Sequence, residues 1–216
     1  MNEKNNKSFW NLYAKIYDFE IKLFNGAAYR EMYRRMAQVL TKEMNVLEVA
    51  TGTGLIAANI APFVHSVEAI DFSPKMIKTA KKKRVPPNVR FSVQDATTLD
   101  FDEQSFDAVI ISNALHIMPQ PETVLANIHR VLKRGGLLIA PTFSHSRVSD
   151  STWNVNAKIL KRIGFETYAK WQPEEYIAFL NAHGFAVQNW CVLKAGFPLV
   201  YAEALRLDAE GSAPPT

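Results

Sequence analysis

The stretch Val46–Gly54, VLEVATGTG, decides the fold. An apolar run short enough for a buried strand enters a glycine-rich turn, and a helical pattern starts at Leu55. Glycine permits tight turning and lets a ligand approach the backbone, while the helix amino end adds unpaired N–H donors. Nineteen residues beyond Gly52 a second apolar run, Ser66–Asp71, ends on a carboxylate. Ser73-Pro74 behind it reads as an N-cap and a first-turn proline. Asp71 therefore sits at the mouth of a cleft, where a carboxylate can accept hydrogen bonds from both hydroxyls of a ribose.

Outward from this unit, apolar runs alternate with helical patterns. Strands are expected at Asn45–Ala50, Ser66–Asp71, Val89–Gln94, Phe106–Ser112 and Gly136–Phe143, with helices near Leu55–Phe63, Pro74–Arg84 and Pro121–Lys133. Such alternation implies a parallel sheet with right-handed crossovers. Pro173, flanked by Gln172, Glu174 and Glu175, opens another helix that ends at His183-Gly184. Two further apolar runs, Phe185–Leu193 and Phe197–Ala204, form an antiparallel pair at the sheet edge. The sum is an α/β, doubly wound, Rossmann-like and mostly parallel seven-stranded sheet, its last strand antiparallel.

One domain accommodates the 216 residues. Residues 8–40 form an N-terminal helical cap, with Phe9, Trp10, Leu12, Tyr13, Ile16 and Tyr17 on one helical face and Asn25-Gly26 as an interruption. Residues 41–143 form the ligand-binding core, 144–204 the substrate-side helices and edge strands, and 209–216 a disordered tail.

Composition narrows the class. Apolar residues make up 48% but never reach ~18 in a row, which argues against a spanning helix. The polar start, Met1 to Ser8, has no signal-peptide character, and one cysteine, Cys191, permits no internal disulfide. Both fit a cytoplasmic protein. A net charge of +4 is too small for a dedicated nucleic-acid binder. The run Lys81-Lys82-Lys83-Arg84 reads as a solvated helix end, cations complementing the dipole, with an anionic partner as the minority reading. Scattered histidines and the lone cysteine exclude a zinc-type cluster, so no metal is expected.

The glycine turn alone does not choose its ligand. Gly52-x-Gly54-x-x-Ala57 also satisfies the dinucleotide fingerprint, so S-adenosylmethionine (SAM) and NAD both remain open at this point.

The ordered set of motifs resembles the class I SAM-dependent methyltransferase family, its small-molecule and lipid-quinone branch, over nearly the whole chain. VLEVATGTG resembles the first motif, VEAIDFSPKMI the second, and FSVQDATTLDFDEQSFDAVIISNALHIMPQPETVLANIHRVLKRGGLLIAPTF the run from strand three through strand five. Gln94-Asp95-Ala96 and RVLKRGG favour SAM over NAD.

The resemblance implies SAM as cofactor and transfer of its methyl to a small or lipid-like acceptor. It places Gly52 and Gly54 against the methionine part, with Glu48 organising the loop. Asp71 holds the ribose, Phe72 and Met76 flank the adenine, and Asp95 with the Ala96 backbone meets its N6 and N1 edge. Asn113 lies near the amino-acid end, and Tyr17, from a Tyr-Asp pair with Asp18, contacts the cofactor. Ala50 departs from the glycine common there, a small change if its backbone angle is ordinary.

His116 after strand four and His145 after strand five are the candidate bases, each weighed against a packing role. His129 reads as structural, and His65 and His183 carry no signal. SNAL stands where amino-methylating nucleic-acid enzymes carry an NPPY-like motif. The N-terminal helix is read three ways: as a lid, as a fixed cap, or as a peripheral membrane contact through Trp10, Phe19, Ile21, Leu23 and Phe24. An NAD-dependent oxidoreductase and a non-catalytic SAM-binding protein are the competing functions.

Overall fold

The computed structural model describes residues 10, 14, 18, 19, 21, 25–144, 167–195 and 198–208. Five strands form the parallel part of the sheet: β1 (Asn45–Val49), β2 (Ser66–Asp71), β3 (Val89–Val93), β4 (Phe106–Ile111) and β5 (Leu132–Ile139). Then come β6 (Thr142–Phe143), β7 (Phe185–Leu193) and β8 (Leu199–Arg206). The order across the sheet is β3-β2-β1-β4-β5-β8, with β7 paired to the outer side of β8 and the two-residue β6 also on β8. β8 runs antiparallel to both β5 and β7.

β1 is central because it can be buried on both faces. Val46, Leu47 and Val49 have no exposed surface, each worth about 1.5–3 kcal/mol of burial. Val46 pairs with Val67 on one side and Ala108 on the other. The winding reverses between β1 and β4, so the loops leaving their carboxyl ends diverge and open a crevice.

Helices α1 (Gly26–Val39), α2 (Leu55–Ile60) and α3 (Pro74–Ala80) cover one face, and α4 (Pro121–Val131) and α5 (Pro173–Ala182) the other. α1 buries Ala28, Tyr29, Met32 and Met36, the stripe a 3.6-residue period requires. Ser73 caps α3, its Oγ accepting from Met76 N at 3.2 Å. α5 opens with a reciprocal capping box between Gln172 and Glu175. Gly184 follows it at φ 86°, the left-handed geometry of a helix stop.

Several boundaries differ from the sequence reading. β5 begins at Leu132 rather than Gly136, because Leu132 already pairs with Phe106 and a register shift follows. Gly135, at φ 64°, absorbs that irregularity. α3 ends at Ala80, before the basic run. That run is not simply solvated: Lys83 Nζ lies 2.6 Å from Asp18 Oδ2. Of the named membrane anchors among the described residues, Ile21 is buried in the core, Trp10 is half-buried, and Phe19, 71% exposed, faces solvent. Among the described residues no helix is long and apolar enough to cross a membrane. Leu23, Phe24 and the 209–216 tail lie outside the described residues.

Candidate functional site

A cleft of about 620 Å³ opens where the crevice was expected, at the carboxyl ends of β1, β2 and β4. Of the sequence candidates, Ala50, Gly52, Asp71, Phe72, Met76, Asp95, Ala96 and Asn113 line it. Trp10, Ser112, Ile117, Met118, Pro119, Gln120 and Tyr168 also contribute to its wall.

Asp71 organises one end. Its Oδ2 accepts from Gly52 N at 2.9 Å and its Oδ1 from Ser73 N at 2.8 Å. The carboxyl is almost wholly buried, 5% exposed. Burial pushes its pKa up to about 6, against the pull of the Ser73 and Gly52 N–H groups. Each oxygen keeps lone-pair capacity beyond its backbone bond, which suits two vicinal hydroxyl donors.

Glu48 lies beneath the loop, 1% exposed, its Oε2 accepting from Thr51 Oγ1 at 2.7 Å. Burial raises it to about 8, offset by bonds from Thr51 and the Ala57 backbone. It braces the turn from below and does not line the main cleft.

Asn113 closes the far end. Its Nδ2 donates to Tyr29 Oη at 3.1 Å, reaching α1 across the sheet. Its Oδ1 is buried with no hydrogen-bond partner among the described residues. An unmatched acceptor in a cleft wall fits a ligand that brings a donor, such as an α-ammonium group. Sequence reasoning missed Tyr29, whose helical spacing marks it only as core.

Two glycine-loop expectations change. Gly54 does not line the cleft. It caps α2 at φ 76°, and a side chain there would lie 2.7 Å from the Phe91 ring and 3.3 Å from Ala80 Cβ. Its smallness serves packing on the opposite side, whereas Gly52 faces the cleft. Ala50 has φ 55°. Its backbone angle is therefore not ordinary, and alanine carries a steric cost there that glycine would not.

Phe72 and Met76, from the turn and first helical positions after β2, form an apolar wall with Ile70. Opposite, Asp95 Oδ1 accepts from Thr97 N and Thr97 Oγ1 at 2.8 and 2.7 Å. This side-chain turn holds the Ala96 backbone at the cleft edge.

Of the two candidate bases, only His116 lies among the described residues. His116 is buried, with Nδ1 3.0 Å from Thr142 Oγ1 and its ring edge-on to Phe143. It is not part of the cleft wall. Its carbonyl accepts from Tyr168 N and Ala169 N at 2.9 and 3.1 Å. It thereby fixes the chain that brings Tyr168 to the cleft. His145 and Tyr17 lie outside the described residues. His129 bonds Leu207 O through Nε2 at 2.8 Å, a packing role. No group of three or more metal-ligating side chains is gathered among the described residues.

Comparison with known proteins agrees with this geometry. The family described as Methyltransferase domain matches residues 47–140. A demethylmenaquinone methyltransferase of Renibacterium salmoninarum is 44% identical over 46% of this chain and 41% of its own length. A ubiquinone/menaquinone biosynthesis C-methyltransferase UbiE of Rhizobium etli is 31% identical over 87% of this chain and 79% of its own. The match to the first three demethylmenaquinone methyltransferases spans 41%, 46% and 55% of their length, about half. Among solved structures, a chain from the complex of the Haloferax volcanii Trm112 methyltransferase activator with a methyltransferase superposes with TM-score 0.79 at 17% identity. It covers 94% of this chain and 97% of that one. On the motif order, the sheet topology and these relatives, the chain belongs to the class I SAM-dependent methyltransferase family.

Proposed function

We propose that this protein transfers the methyl group of SAM to a small, neutral or lipid-like acceptor in the cytoplasm. The observation that carries the cofactor assignment is Asp71, buried at the end of β2 and held by Gly52 N and Ser73 N with acceptor capacity left over. SAM supplies an electrophilic methyl carbon, so the chain's task is to align a nucleophile with it. Asp71 orients the ribose, Phe72 and Met76 enclose the adenine, and the Ala96 backbone meets its polar edge. Gly52 lets the backbone approach the methionine portion, and Asn113 Oδ1 receives its ammonium.

The acceptor reading comes from charge. Asp71 and Asp95 are the only charged side chains in the described cleft wall, and both belong to the adenosine half. Away from that half, Ile117, Met118, Pro119 and Tyr168 with Trp10 offer apolar surface, Ser112 and Gln120 add neutral polar groups, and no counter-ion stands among the described residues there. A neutral acceptor such as a quinol ring or an uncharged lipid head fits it. The names of the quinone relatives support the same class.

If the acceptor arrives protonated, His145 is the candidate base and His116 a positioning group behind Thr142 and Tyr168. Tyr17 is assigned to the cofactor side. Incubation with methyl-labelled SAM and separate pools of reduced quinones, phospholipids, RNA and polar metabolites tests the acceptor class. Label entering the quinol or lipid pool supports the proposal. Label confined to RNA or to charged metabolites contradicts it.

A further inference from the structure

We propose that Asp18 is a positioning residue for the cofactor half of the cleft, joining the glycine loop to the end of α3 and thereby slowing cofactor release. The inference rests on the SAM assignment above. Thr53 Oγ1 donates to Asp18 Oδ1, and Lys83 Nζ lies 2.6 Å from Asp18 Oδ2. One carboxylate thus holds two segments far apart in sequence.

Those segments are the ones that grip the cofactor. Thr53 stands between Gly52, in the cleft wall, and Gly54, which packs toward Ala80 of α3. α3 supplies Met76 to the cleft, and Lys83 follows its last turn. Asp71 joins the same two segments on the cleft side, through Gly52 N and Ser73 N. The loop and α3 are therefore clasped twice, by Asp71 in front and by Asp18 behind. Trp10, from the same N-terminal stretch as Asp18, lies in the cleft wall.

The placement of the clasp on the two segments that line the cleft sets its role apart from general stabilisation. The Asp18 and Lys83 side chains are 40% and 25% exposed, while the Lys83 Nζ itself is shielded from solvent, so the pair also supports local stability. Thr53 is fully buried, so its hydroxyl needs the acceptor that Asp18 provides. The effect of losing the clasp falls on the local order of the loop, and so on how long a ligand held by that loop stays bound.

The test measures the dissociation rate of S-adenosylhomocysteine (SAH) from the full chain, by displacement with excess unlabelled ligand. Wild type, Asp18→Asn, Thr53→Val, Lys83→Met, Lys83→Arg and Asp18→Asn/Lys83→Met are compared. Asp18→Asn and Lys83→Met should release SAH about three- to tenfold faster, the scale of one lost hydrogen bond or ion pair. Lys83→Arg should stay near wild type, and the double variant should be no faster than the faster single one. Release is read at a temperature where every apo variant remains folded, as its melting curve shows. Unchanged release from Asp18→Asn and Thr53→Val would overturn the proposal, as would equal release from Lys83→Arg and Lys83→Met. A wild-type chain that binds no SAH would instead overturn the SAM assignment, and this proposal with it.

Discussion

Gly52 N donates to Asp71 Oδ2 across 2.9 Å, so the protein itself joins the loop after β1 to the end of β2. Asp71→Ala should remove this join along with the proposed ribose acceptor. SAH affinity should fall by roughly 1–3 kcal/mol, the scale of a charge-assisted bond, read by isothermal titration. A folded variant with unchanged affinity would remove Asp71 from the ribose site.

The same carboxyl gives a pH dependence. Burial raises Asp71 to about 6 and Glu48 to about 8. Both groups bind protons more tightly folded than unfolded. Their contribution to apo stability is therefore fullest below the ordinary carboxyl range and is lost as pH rises through about 6 and about 8. Ligand binding should respond oppositely: an ionised carboxylate accepts from ribose hydroxyls more strongly than a neutral carboxyl, so SAH affinity should weaken as pH falls below about 6. Titrations from acid to neutral pH on wild type and Asp71→Asn check this, and the variant should lose the dependence.

Gly54→Ala should destabilise the fold by about 2–4 kcal/mol, because the added methyl meets Phe91 and the residue has φ 76°. Urea unfolding measures it. A variant as stable as wild type would show that the Phe91 ring can step aside.

Ala50→Gly should raise stability, or leave it unchanged, despite the larger backbone entropy glycine loses on folding. Relief at φ 55° is worth about 1 kcal/mol and opposes that loss. Ala50→Val should cost more than 1 kcal/mol, since a β-branched residue resists this angle. Thermal unfolding of the two variants separates these outcomes.

Asn113→Leu should weaken SAH binding and also disturb α1, because it loses both the orphan acceptor and the bond to Tyr29. Tyr29→Phe removes the bond to Asn113 and keeps the orphan acceptor. It should reduce SAH affinity less, which calorimetry on the pair would show.

Much of this architecture is legible in the sequence because its signals are local. Ser66–Asp71 is delimited by its apolar pattern, and Ser73-Pro74 announces α3 by cap chemistry. What escaped depends on distant partners. Gly54 looks like a ligand-facing glycine until Phe91, from β3, is placed against it. Tyr29 and Asn113 stand 84 positions apart. The basic run looks solvated because nothing near it in sequence announces Asp18. The angle at Ala50 is set by the loop's path and leaves no mark in its residue type. His116 carries the chemistry of a base, but its burial behind Thr142 is a tertiary fact.

The central claim is that this cleft takes SAM and not a dinucleotide. Calorimetric titration of the full chain with SAM, SAH and NADH tests it most directly. Saturable one-to-one binding of SAM and SAH is expected, lost or weakened in Asp71→Ala, with no comparable heat from NADH. Saturable NADH binding with silence from SAM and SAH would contradict it.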